Sequence, residues 1–72
     1  AAVRHGCAAA VSALKRDRAL RDDLSEETAT DLLAGILSVR MWEHLTRECG
    51  WSQELYLGEI ERLSRAALLT NP

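Results

Sequence analysis

Residues 25–50 read SEETATDLLAGILSVRMWEHLTRECG, with apolar side chains at Ala29, Leu32, Leu33, Ile36, Leu37, Met41, Leu45 and Cys49. Steps of three and four residues place these groups along one side of a helix rather than on alternate sides of a strand. Ser25 is suited to cap the start, with Glu26 and Glu27 in the first turn where the helix dipole favours negative charge. Gly50 suits the position just past the end, where a left-handed backbone closes a helix without a Cβ penalty. Unbroken, a helix over 26–49 would span about 36 Å at roughly 1.5 Å per residue. Gly35 and Ser38 lie near its middle and mark where it would kink or divide, near residue 38.

Working outward, a second start signal follows at once. Ser52 is placed to cap, Gln53 and Glu54 fill the next turn, and Tyr56, Ile60, Leu63 and Ala67 form a seam over 52–69. Leu55, Leu57 and Leu68 widen the apolar surface beyond that seam, and Glu59/Arg62 and Glu61/Arg65 are spaced to pair on the outer face. Asn71-Pro72 is expected to end this helix. Upstream, Val3, Cys7, Ala10/Val11 and Leu14 recur at helical steps over residues 2–16, among alanines that raise helix propensity. The polar run KRDRALRDDL connects the two halves, with room for one extra turn around Ala19 and Leu20. Strand alternation, hairpin signals and internal repeats are absent from the sequence. The expected fold is all-α, about three antiparallel helices.

Length narrows the choice further. A 72-residue chain buries only about 60% of the surface its unfolded form exposes, so a lone core is marginal. Disulfides, a metal or association are the usual remedies. The two cysteines, Cys7 and Cys49, lie far apart and in no paired motif, which favours a reduced, cytoplasmic protein, while leaving open whether they ever pair. The ends suggest further chain: the sequence opens on Ala1 without methionine and stops at Asn71-Pro72, as the tail of a longer protein would. It has no run of about 18 apolar residues and no signal-peptide pattern, so no membrane partner is expected. Net charge is −2, but the basic groups Arg4, Lys15, Arg16, Arg18 and Arg21 gather in residues 1–21 while acidic groups dominate the rest. Cations from Lys15 to Arg21 suit a helix C-terminus.

The second and third segments carry more apolar surface than a few helices hide among themselves. A helix apolar on several sides has to be buried on several sides, and a second copy of the same chain is the commonest cover.

Residues 17–69 resemble the closing part of TetR-family transcriptional regulators. The matching residues are Leu24-Ser25-Glu26-Glu27-Thr28-Ala29-Thr30-Asp31-Leu32-Leu33, then Cys49-Gly50-Trp51-Ser52, then Tyr56 and Leu68-Leu69, with Lys15 to Leu20 similar to the family's preceding connection. Two positions depart from it. Ser38-Val39-Arg40 stands where many relatives have Ser-Pro-Glu, implying a weaker helical break, and Cys49 replaces an arginine common before Gly-Trp. The resemblance implies a homodimer in which segments 26–49 and 52–69 of each subunit pair as a four-helix bundle. It also implies a small-molecule effector cavity lined or closed by the first segment, and operator DNA bound through an N-terminal head outside this chain. Residues expected at the dimer face are Leu33, Ile36, Leu37, Tyr56, Ile60, Leu63 and Ala67; those expected to meet an effector are Met41, Trp42 and Leu45. With few polar groups pointing one way, that effector is expected to be apolar.

Other chemistries find little support. The helix–glycine–helix junction from Leu45 to Leu63 would present Gln53, Glu54 and Glu59 where a recognition helix needs groups that tolerate phosphate. His44, Glu48 and Cys49, or His5 with Cys7, lack zinc-ligand spacing, so no metal and no cofactor is expected. The serines at 12, 25, 38, 52 and 64 read as caps and polar-face residues, the histidines have no evident nucleophile partner, and no enzyme signature appears. Trp51 is expected to pack at the corner between helices, whereas Met41 and Trp42 suit pocket, core or interface. The expectation is the dimerising, effector-sensing region of a ligand-responsive transcriptional regulator, a repressor. The alternative is a small helical protein–protein interaction module without a ligand pocket.

Overall fold

The computed structural model describes residues 2–70, with the side chains of Ala2 and Val3 left aside. Val3 of the first stripe and the Asn71-Pro72 stop therefore lie outside the described side chains and residues. Four helices follow in order: α1 (Ala2–Arg16), α2 (Glu26–Ile36), α3 (Val39–Glu43) and α4 (Gln53–Leu68), with α3 running on into a π-helical turn, His44–Glu48. The fold is all-α, and among the described residues the only strand-like feature is a single antiparallel bridge between Leu20 and Leu69.

Local chemistry sets each boundary. Ser25, Ser38 and Ser52 stand in extended backbone just before α2, α3 and α4, and each hydroxyl accepts from the amide three residues on, at 3.1, 3.2 and 3.1 Å. The long segment over 26–49 is thus divided at Leu37–Ser38. The Ser38 cap is the physical reason: its side chain satisfies the Met41 amide and restarts the helix in a new direction, without the proline many resembling sequences carry. α1 closes on a Schellman turn. Arg18 takes φ 58°, and the amides of Arg18 and Ala19 return to the carbonyls of Lys15 and Leu14 at 3.1 and 2.9 Å. Gly50, at φ 75°, closes the α3 segment as its sequence position suggests.

No extra helical turn forms around Ala19 and Leu20. Leu20 is instead 6% exposed and turned into the core. Its strand-like pairing with Leu69 is held by Arg21 N–H to Leu68 O at 2.8 Å and Thr70 N–H to Ala19 O at 2.9 Å. The Arg21 guanidinium adds a bond to the Ala67 carbonyl at 2.9 Å, placing a cation at the C-terminal end of α4. Asp23 grips the same guanidinium at 2.8 and 3.1 Å. This hydrogen bond holds the Asp23 carboxyl below the usual carboxylate range and the Arg21 guanidinium above its own. The connection that reads as a polar linker is therefore a clasp on the end of α4.

Two small cores result. Cys7 and Val11 of α1 meet Ala29 and Leu33 of α2, Leu20 of the clasp and Leu68 of α4, with Leu14 and Leu24 packed against them. Ile36 of α2 meets Tyr56 and Ile60 of α4, with Met41, Trp42, Leu45 and Trp51 packed around them. Leu33 meeting Leu68 while Ile36 meets Tyr56 and Ile60 makes α2 and α4 antiparallel. The pairs Arg4–Asp31 (2.8 Å) and Lys15–Glu26 (3.6 Å) show the same for α1 and α2. Those bridges are solvent-exposed and add little to stability; apolar burial carries the fold.

Candidate functional site

The α3–α4 end of the molecule gathers most of the residues that sequence singles out. Trp51 is half-buried at the corner, as expected, and its amide bonds to Leu45 O at 3.0 Å. Met41, Trp42 and Leu45 are also half-buried, packed on Ile36, Tyr56 and Ile60. The Trp42 indole donates to Gln53 Oε1 at 3.3 Å, and the Arg47 guanidinium lies 5.4 Å from the ring centroid. The polar edge and one face of this indole are therefore occupied by the chain's own side chains.

The residues expected at a dimer face divide into two groups. Leu33, Ile36, Tyr56 and Ile60 are 6–8% exposed, covered within the chain itself. Ala67 is half-buried, and Leu37 and Leu63 are 44% and 41% exposed. Leu32, Val39, Leu55 and Leu57 are likewise exposed. On α4, Leu55, Leu63 and Ala66 share one side at helical spacing, beside the arc that Tyr56, Ile60 and Ala67 turn inward. An open hollow runs along that side, lined by Glu59, Arg62, Leu63, Ala66 and Leu69 among others. The ion pairs Glu59–Arg62 (3.6 Å) and Glu61–Arg65 (3.2 Å) border it. On α4, Leu55 and Leu63 extend the buried seam to one side, while Leu57 is exposed on the other.

The shape matches this distribution. The Cα trace spans 37 × 31 × 16 Å with a radius of gyration of 12.9 Å. A compact domain of this length has a radius of gyration of about 11 Å. The helices lie in a flattened arrangement, which leaves α4 with a covered side and an open one.

His44, Glu48 and Cys49, neighbours along the sequence without metal-ligand spacing, are brought into contact. His44 Nδ1 stands 3.7 Å from Glu48 Oε2, and His44 Nε2 stands 3.7 Å from the Cys49 thiol. His44 therefore does have a nucleophile beside it, contrary to the reading of the histidines as unpartnered. Five residues along an α-helix point about 140° apart. The π-helical turn, with Cys49 N–H bonding to His44 O at 3.0 Å, closes one turn over five residues and brings the two side chains together. Among the described residues no three His, Cys, Asp or Glu side chains converge as a metal site, and no helix is long and apolar enough to cross a membrane.

No protein-family model, curated protein or solved structure matches this chain.

Proposed function

We propose that this chain is the self-associating, effector-sensing part of a ligand-responsive transcriptional regulator, the kind its sequence resembles. The supporting observation is the open side of α4: Leu55 and Leu63 remain 46% and 41% exposed next to a filled seam. A two-fold axis across that side would set α4 against its own copy, and α2–α3 would flank it. In this reading DNA is bound by a separate head, and the α3–α4 corner senses the effector. A ligand favouring one packing of that corner would bias the spacing of the paired helices by its differential affinity for the two arrangements. Sedimentation equilibrium at micromolar concentration is expected to give twice the 8.0 kDa chain mass. A folded monomer under those conditions contradicts the proposal.

A helical interaction module without a ligand pocket is the second reading. It is favoured by one observation: Trp42 is engaged by Gln53 and Arg47, and Met41 and Leu45 pack on the core. A small apolar effector would have to displace these contacts. A thermal-shift screen of small apolar molecules separates the two, since the sensing reading requires a compound that raises the melting temperature and shifts Trp42 fluorescence. Failure of every compound, with self-association intact, favours the module.

A further inference from the structure

We propose that Cys49 is a thiol–disulfide exchange site, with His44 as its proton acceptor and Glu48 as the residue that orients the imidazole. Three observations place the groups. Cys49 is exposed while Cys7 is buried, so only one of the two thiols faces reagents in solution. His44 Nε2 lies 3.7 Å from Cys49 Sγ, and the opposite ring nitrogen, Nδ1, lies 3.7 Å from Glu48 Oε2. One nitrogen is thereby turned to the thiol and the other to a carboxylate, the order that nucleophile, base and orienting group need. The π-helical turn is the structural device behind this, because an α-helical path would point His44 and Cys49 apart. Approach is open, because the Cys49 side chain is exposed.

The partner is a small-molecule disulfide, which reaches the exposed Cys49 thiol directly. His44 Nε2 takes the proton from the Cys49 thiol as Sγ attacks one sulfur of the disulfide. The new Sγ–S bond forms as the old S–S bond breaks. The departing sulfur leaves as a thiolate and takes the proton back from the imidazolium. Cys49 ends oxidised as a mixed disulfide and one half of the reagent ends reduced as a thiol, so no other oxidant enters. The inference does not depend on the regulatory reading.

The test is the rate of exchange between the whole chain and glutathione disulfide or an aromatic disulfide at pH 7, with the product located by mass spectrometry. An isolated cysteine is roughly 3% thiolate at that pH, so proton removal has a ceiling of about thirtyfold. Because a more acidic thiolate is also a weaker nucleophile, Cys49 is expected to react about three- to fourfold faster than the thiol of an unstructured peptide, to form one mixed disulfide, and to leave Cys7 free until denaturant is added. His44→Ala removes the acceleration at pH 7, and the rates of the two proteins converge above about pH 8.5, where any thiol is ionised, which a merely structural role of His44 would not produce. His44→Gln serves if the alanine variant loses helicity. Glu48→Gln slows exchange two- to threefold when His44 is present and has no further effect in His44→Ala, the non-additivity expected of a residue acting through another. Peptide-like rates for Cys49, or His44 variants that leave the rate unchanged while helicity is retained, overturn the proposal.

Discussion

Replacing Leu55 and Leu63 together by serine is expected to break self-association while leaving the subunit folded. Full burial of a leucine is worth roughly 1.5–3 kcal/mol. With 46% and 41% of these side chains still exposed, covering the remainder contributes about 1 kcal/mol each. A two-fold interface counts every substitution twice, so one leucine is worth about 2 kcal/mol of dimer and the pair about 4 kcal/mol. That is a loss of about thirtyfold in affinity for Leu63→Ser and about a thousandfold for the double variant. The monomer is spared because its core uses Tyr56, Ile60 and Leu68 of the same helix, which stay in place. Sedimentation velocity over a dilution series reads the dissociation constant and far-ultraviolet circular dichroism the helicity. Helicity retained with affinity changed less than threefold would refute the assignment of this side of α4.

The remaining predictions concern the scaffold. Val11 is fully buried in the first core, so Val11→Ala loses two methyl groups and leaves a void, costing about 2–3 kcal/mol. A chain this size has roughly 4–11 kcal/mol in hand, so the melting temperature should fall by about 10–20 °C in a thermal melt; a fall below about 4 °C contradicts the packing. Gly50 and Arg18 both sit at positive φ. Gly50→Ala should destabilise by about 1 kcal/mol, while Arg18→Gly should stabilise by up to about 1 kcal/mol, opposite signs that a urea titration resolves. Asp23 has its carboxyl lowered in the folded chain by Arg21. Its contribution is therefore present above the unfolded value of about 3.9 and lost as pH falls through the lower folded value. Wild type should melt above Asp23→Asn at pH 6, and the two should converge in acid below about pH 3.9; a difference that persists at the lowest pH contradicts the clasp.

What sequence could reveal follows from how local each signal is. The Ser25 and Ser52 caps, the Gly50 closure and a division near residue 38 depend on hydrogen bonds spanning three to five residues, and stand where spacing places them, with Ser38 itself capping the new helix. The inward turn of Cys7, Val11, Tyr56 and Ile60 was likewise written in steps of three and four. Leu20 was not legible. Its burial depends on a partner, Leu69, at the far end of the chain, and the only signal was a leucine inside an otherwise polar run. The Cys49–His44 contact was hidden for a different reason. A helical reading assumes 3.6 residues per turn, and the π-helical turn changes the angle at the one place where five-residue spacing matters. Which apolar residues stay exposed is decided by tertiary packing and not by spacing. Leu33 and Leu63 look alike in a periodic pattern, yet Leu33 is covered by α1 and Leu68 while Leu63 is left open.

A second copy covering the open side of α4 is tested most directly by isotope-filtered nuclear Overhauser spectroscopy. In a sample mixing labelled and unlabelled chains, the methyls of Leu55 and Leu63 should show contacts between copies, and those of Val11 and Ile60 should show contacts only within one copy. Contacts between copies confined to α1, or none at any concentration at which the chain is folded, would contradict it.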